Sequence, residues 1–239
     1  MIDKDKVKAF WDARAKTWGA VAFDSIANLE QDPEDLAVKV RLESEKVFGY
    51  LPPVAGKTVL DLGAGVGQWA FRFLDRGAAQ VTAVEYSANL AEIGRREAER
   101  RGASALEFVV SPAESFEVAR TFDIVFISGL FVYMNDDQAA RLMQNLPSFC
   151  RPDTIVLLRD GTALAERFEI DNRMSDHLQT HYSATYRTAD EYREMFRQRG
   201  LKLLRHENMF GEDCSLNKYP ETRLRIYEFR VEPEAVPNA

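Results

Sequence analysis

The sequence predicts an α/β fold built on a doubly wound, mostly parallel sheet. Three observations carry this. From Lys57 onward, short β-prone apolar runs alternate with stretches of helical apolar spacing, the pattern of βαβ units with right-handed crossovers and helices on both faces. The first run, Thr58–Leu62, passes through Gly63-Ala64-Gly65-Val66-Gly67 into a stretch where Trp69, Ala70, Phe71, Phe73 and Leu74 recur at helical spacing. Gly77 and Gly102 stand where the first two crossover helices should stop, because a helix end favours a residue free to take positive φ.

The elements follow in order. Residues 4–18 read as a helix with Val7, Phe10, Trp11, Ala15 and Trp18 on one stripe. Residues 21–29 show no clear pattern. Asp32-Pro33 opens a second helix, an N-cap followed by proline at the first helical position. It carries Leu36, Val40, Val47 and Phe48 until Pro52-Pro53 break it. Residues 1–52 thus form a helical extension ahead of a core at 53–233. Strands are expected at 58–62, 81–85, 106–110, 122–128 and 154–159. Residues 161–187 are irregular in pattern and read as an insert. Thr188-Ala189-Asp190-Glu191 is a capping box for a helix that Gly200 closes. The last two strands, 201–206 and 224–231, lack a helix between them and should pair antiparallel. Residues 234–239 are a fraying tail.

The glycine run carries the chemistry. Glycines at a strand-to-helix turn permit positive φ and close approach of a ligand to the backbone, and the helix beyond offers unpaired N–H groups. The second strand ends in Glu85, placed to accept hydrogen bonds from two ribose hydroxyls. A nucleoside-containing cofactor follows. The dinucleotide fingerprint G-x-G-x-x-G fits poorly, since Gly67 comes one residue early and Gln68 stands where glycine is wanted. Asp61 would repel a pyrophosphate but could hold an ammonium group, directly or through water.

An acidic residue followed by G-x-G-x-G, with a second acid at the end of the next strand, resembles the class I S-adenosylmethionine-dependent methyltransferases of small-molecule type. The resemblance covers residues 57–231. It implies a Rossmann-like seven-stranded sheet with an antiparallel terminal hairpin and an N-terminal helical lid, and S-adenosyl-L-methionine as cofactor. It also implies a set of cofactor contacts: Asp61, Gly63, Ala64, Gly65, Gly67, Glu85 and Tyr86. After the third strand the family often has an acid in a pattern like G-D-A-E. Here Ser111-Pro112-Ala113-Glu114 puts proline in that place, so adenine recognition should rest on backbone near Ala113, with Ser111 or Glu114 in support. Ser128 and Gly129, ending the fourth strand, would approach the sulfonium, and Trp18 would cover the cofactor.

For the acceptor side the candidates are Tyr133, Asn135, Arg159, His181 and Tyr182. Tyr133 and Asn135 would lie at the acceptor rim, although Asn135 could equally cap the following helix. Arg159-Asp160 closes the fifth strand and could bind a charged substrate or form a structural ion pair. His181 or Tyr182, within a polar and aromatic insert, could serve as base or substrate contact. His177 and His181 lack a third ligand, so no metal is expected.

Composition narrows the partners. A net charge of −7, from 31 basic and 38 acidic residues, argues against a nucleic-acid polyanion. Arg95, Arg96, Arg100 and Arg101 are interleaved with Glu92, Glu97 and Glu99, the mark of a solvated helix face. Cys150 and Cys214 match no metal or redox spacing. The charged opening residues lack a signal-peptide core, and no stretch is apolar enough to span a bilayer; a soluble, cytoplasmic protein is expected. No N-P-P-Y or D-P-P-Y run follows the fourth strand, which speaks against base amines of nucleic acid. The expected function is methyl transfer to a small-molecule acceptor, with specialised metabolism as one setting. The glycine motif is equally compatible with a cyclase or lyase that releases methylthioadenosine from the same cofactor, and a non-catalytic binding module is a third reading. Oligomeric state is open.

Overall fold

The computed structural model describes residues 2–28, 30, 32–175 and 180–231, with residues 173, 175, 180 and 181 described by their backbone alone. Five parallel strands form the centre: β1 (Thr58–Leu62), β2 (Gln80–Glu85), β3 (Leu106–Val110), β4 (Ile124–Ser128) and β5 (Ile155–Ala163), ordered β3-β2-β1-β4-β5. Between β1 and β4 the winding reverses, which opens a crevice beyond their carboxyl ends. Two closing strands, β8 (Leu201–Asn208) and β9 (Thr222–Val231), form the antiparallel hairpin. β9 lies antiparallel to β5 from Ile155↔Arg230 to Ala163↔Thr222, and β8 pairs beyond it.

The central strands are apolar along their whole length because helices cover both faces. On one face α3 (Pro33–Gly49) and α4 (Gln68–Asp75) pack Val47, Trp69 and Phe73 against Phe126, Leu157 and Ile226. On the other, α6 (Asp136–Asn145) and α7 (Ala189–Arg197) bury Leu142, Tyr192 and Phe196 with Val125, Leu158 and Phe229. α5 (Ala88–Arg101) crosses from β2 to β3 and stops at Gly102, φ 65°.

The N-terminal part differs in detail from expectation. α1 (Lys4–Ala15) ends three residues before Trp18, and α2 (Phe23–Asn28) fills a segment without a sequence pattern. Asp32 caps α3 as expected, its Oδ1 accepting from the amides of Glu34 and Asp35 at 2.9 Å each; α1 is capped by Asp3, whose Oδ1 accepts from those of Asp5 and Lys6 at 2.9 and 3.3 Å. α1 lies against α5 and the strand β7 (Thr180–Thr188).

The irregular insert is corrected. β6 (Phe168–Ser175) pairs antiparallel with β7, and β7 runs parallel to the far end of β5 at Thr162↔Arg187 and Ala163↔Thr188. The described sheet therefore has nine strands. Tyr182, Ala184 and Tyr186 do alternate. The residues between them, Ser183, Thr185 and Arg187, are buried as well, so polarity hides the period. A register shift between Ile170 and Arg173, with Asn172 at φ 47°, interrupts β6. His177 and the 234–239 tail lie outside the described residues.

Candidate active site

A cavity of about 500 Å³ opens at the carboxyl ends of β1, β2, β4 and β5, under α1, α2 and the 216–219 segment. Its floor at one end is the glycine loop. Gly63, Gly65 and Gly67 take φ of 78°, 59° and 86°, a region that side chains disfavour. Space enforces glycine too: a Cβ on Gly67 would lie 2.5 Å from the Phe108 ring, and one on Gly65 would lie 3.1 Å from Ala27 of α2. Gly63, Ala64 and Gly65 line the cavity, and Gly67 supports them from behind.

Glu85 reaches back to this loop. Its Oε2 accepts the Gly65 amide at 2.8 Å and its Oε1 the Ser87 amide at 2.7 Å. Burial raises its pKa, while these backbone donors oppose the rise. Each carboxylate oxygen keeps a further lone pair for a donor in the cavity. Asp61 is almost wholly buried, and its Oδ2 has no partner. Burial, followed by the nearby charge of Glu85, pushes its pKa up to about 7. It sits beneath the loop rather than on the cavity wall. Tyr86, Ser111, Pro112, Ala113 and Glu114 line the same end. The Ser111 amide donates to the Glu85 carbonyl at 3.0 Å, and Glu114 accepts from Gln138 at 2.9 Å. Ser128 and Gly129 line the middle.

Tyr133, Tyr182 and Arg159 all face the cavity. Arg159 is held by Ser128 Oγ at 2.8 Å and by the buried Glu43, with its guanidinium 5.7 Å from the Trp69 ring. Arg159 does not end its strand as expected, since β5 continues to Ala163, and it forms a structural ion pair as well as lining the cavity. Asn135 does not line the cavity. Its amide clamps Ile2, accepting from that residue's N–H and donating to its carbonyl, both at 2.9 Å, while its own N–H donates to Gln138 Oε1 at 3.2 Å. Trp18 also lies away from the cavity; it is 45% exposed, with Arg96 5.4 Å above its ring. The helix ends before Trp18, so the aromatic that α1 turns into the cavity is Trp11. The side chain of His181 lies outside the described residues.

Several lining residues carried no sequence signal. Lys39 on α3 donates to the Asn28 carbonyl at 3.0 Å, and burial above all lowers its pKa. Tyr219, Lys218 and Arg223 arrive from the β8–β9 connection and the start of β9. Asp160, which the sequence did single out beside Arg159, also faces the cavity, as does Tyr186. Tyr186 fits because a Cβ on Gly161 would lie 2.7 Å from its ring.

Comparison with known proteins agrees with this geometry. Residues 59–153 match the family described as a methyltransferase domain. Phosphoethanolamine N-methyltransferase 1 of Triticum aestivum is 27% identical over 167 residues, 67% of this chain and 31% of that protein. The chain spans about a third of the length of the curated relatives it matches. The structure of Haemonchus contortus phosphoethanolamine N-methyltransferase 1 with phosphoethanolamine and S-adenosylhomocysteine superposes with a TM-score of 0.69, at 18% identity, over 99% of this chain and 50% of that one. The 1,6-didemethyltoxoflavin-N1-methyltransferase of Burkholderia thailandensis gives 0.67, at 16% identity, over 98% and 92%. Residues 59–153 thus match a methyltransferase domain, and the fold is the one found in class I S-adenosylmethionine-dependent methyltransferases.

Proposed function

We propose that this protein transfers the methyl group of S-adenosylmethionine to a small-molecule acceptor. The observation that carries the reading is the Glu85 carboxylate, tied to the glycine loop and open to the cavity. The residues present fit that cofactor. Glu85 has the free lone pairs two ribose hydroxyls require, and the glycine backbone leaves room beside it. The buried Asp61 Oδ2 and Gln68 Oε1 lack partners, acceptors suited to an ammonium group reached through the loop or through water. Backbone around Ala113 is left for the base. When bound, the cofactor supplies an electrophilic methyl carbon on a sulfonium. The protein's part is to align an acceptor in line with it and exclude water.

A volume of about 500 Å³ lies within the usual range for small-molecule sites. The relatives named above act on small polar molecules, which supports an acceptor of that size and not a polymer. A cytoplasmic site of action and a setting in specialised metabolism belong to this proposal; among the described residues no helix is long and apolar enough to cross a membrane. The test needs no knowledge of the acceptor. Purified protein is incubated with the cofactor alone and with metabolite pools, and both nucleoside products are measured. S-adenosylhomocysteine formed only when a pool is present supports methyl transfer. Enzyme-dependent methylthioadenosine from cofactor alone overturns it in favour of cyclisation or elimination.

A further inference from the structure

We propose that the acceptor is an amine, whose nitrogen is methylated inside an aromatic box formed by Trp11, Tyr133, Tyr182 and Tyr186 beside the Asp160 carboxylate. This rests on the methyl-transfer reading above and names the substrate class of that same site.

The box is visible in the ring geometry. Trp11 meets Tyr133 edge-on, with centroids 5.3 Å apart and planes at 87°. Tyr133 meets Tyr182 in the same way, at 6.0 Å and 89°. Tyr182 then links hydroxyl to hydroxyl with Tyr133 at 3.4 Å and with Tyr186 at 3.3 Å. Successive rings at right angles make walls rather than a stack, and all four line the cavity. Such walls present ring faces and hydroxyl oxygens, which attract a cation and accept N–H bonds.

Charge sorts the cavity into two sides. Neighbouring residues of a strand point to opposite faces, so Arg159 is directed to α3 and Glu43 while Asp160 is directed to the other face, where it meets the turn that carries Tyr133 at the Phe131 amide. Asp160 is fully shielded from bulk water and accepts the Phe131 and Gly161 amides at 2.8 Å each. Burial pushes its pKa up to about 7, against those donors and the charges of Arg187 and Arg159, so a cation beside it would favour its ionised form. Arg187, whose charge acts on Asp160, is itself engaged by the Phe131 and Met134 carbonyls and by Asp136. Of the remaining cavity cations, Lys8 pairs with Asp12, Lys218 with Glu30 and Asp35, and Arg223 with Glu212, while Lys39 donates to the Asn28 carbonyl and Lys4 also lines the cavity.

The step balances for the neutral amine; an acceptor that arrives as ammonium first releases one proton to solvent, and no protein base is then needed. A free amine's lone pair forms the new N–C bond as the methyl's C–S bond breaks, and that bonding pair stays on sulfur. The positive charge passes from sulfur to nitrogen, and the product leaves as an ammonium ion. A hydroxyl acceptor would have to lose a proton. Burial pushes the phenols of Tyr133, Tyr182 and Tyr186 upward, so they remain neutral hydrogen-bonding groups.

The experiment probes the box with a simple cation. Calorimetry first establishes S-adenosylhomocysteine binding; its absence overturns the underlying reading, not the box. Protein saturated with S-adenosylhomocysteine is then titrated with tetramethylammonium and with tert-butanol, a neutral molecule of similar size, at constant ionic strength. The cation should bind at least about tenfold tighter. Tyr182→Leu and Asp160→Asn, each checked for a native melting transition, should lower that affinity several-fold. Equal affinities, or no saturable binding of the cation, overturns the amine assignment while leaving methyl transfer in place. Should Asp160→Asn not fold, Tyr182→Leu and the cation-to-alcohol ratio in the unaltered protein decide the matter.

Discussion

The two ends of the cavity are built on different principles. The cofactor end is made of near neighbours in sequence: a five-residue glycine turn, and a carboxylate at the end of the next strand that hydrogen-bonds to it. The proposed acceptor end gathers Trp11 from α1, Tyr133 after β4, Asp160 on β5, and Tyr182 and Tyr186 on β7. The first end fixes a backbone shape that few residues permit. The second end fixes side-chain positions through a buried polar scaffold. A chain that keeps one cofactor and changes acceptors would be expected to divide its site in this way, with backbone for the constant partner and side chains for the variable one.

That contrast is open to attack, and the largest effect should come from the scaffold of the acceptor end. Arg187 is nearly fully buried and spans the Phe131 and Met134 carbonyls at 2.8 and 2.9 Å. Arg187→Met should strand two buried carbonyls and lower stability by about 3 kcal/mol or more. In a chain of this size that is a fall in melting temperature on the order of 10 °C. A shift of only a degree or two would mean that the 131–134 turn holds itself.

At the cofactor end, Glu85→Ala removes the acceptor of the Gly65 and Ser87 amides along with the proposed ribose contacts. A charged hydrogen bond is worth roughly 1.5–3 kcal/mol, so the net loss of even one should weaken S-adenosylhomocysteine binding by about ten- to a hundredfold in calorimetry. Unchanged affinity would remove the nucleoside assignment. Asp61 gives a pH signature. Its folded pKa of about 7 lies above the usual value near 3.9, so between these the folded state binds the extra proton and stability falls as pH rises. Asp61→Asn removes this, and its stability relative to the unaltered protein should improve by about 1–3 kcal/mol between pH 5 and pH 8. Parallel melting curves across that range would show that the carboxyl does not titrate there.

The difference between the two ends also explains what the sequence could and could not reveal. Gly63, Gly65, Gly67 and Glu85 were legible because a left-handed turn and a strand-end acid are local patterns. The closing hairpin was legible because no helix separates its strands. The β6–β7 hairpin was not, since Ser183, Thr185 and Arg187 are buried between the tyrosines and erase the apolar alternation. Asn135 was read as a rim or cap residue; it does cap α6 together with Gln138, but nothing local announces its bond to Ile2, 133 positions away. Lys39 and the Glu43–Arg159 pair depend on how closely α3 approaches β5, a property of packing alone.

The smallest expected effect separates two tryptophans that the sequence places on one stripe. Trp18 lies beyond the end of α1, is 45% exposed and has Arg96 5.4 Å above its ring. Trp18→Ala should cost about 0.5–1 kcal/mol from that lost cation–π contact and leave S-adenosylhomocysteine affinity within about twofold. Trp11 differs in kind: it lines the cavity and packs edge-on against both Phe10, at 5.1 Å, and Tyr133. Trp11→Ala should remove a wall of the acceptor end, raising KM for the acceptor more than it weakens cofactor binding. The pair therefore tests where the lid touches its contents. If Trp18→Ala weakens cofactor binding tenfold while Trp11→Ala spares both steps, α1 covers the cofactor through the residue that the stripe suggested. The division of the cavity into a backbone-built end and a side-chain-built end would then be drawn in the wrong place.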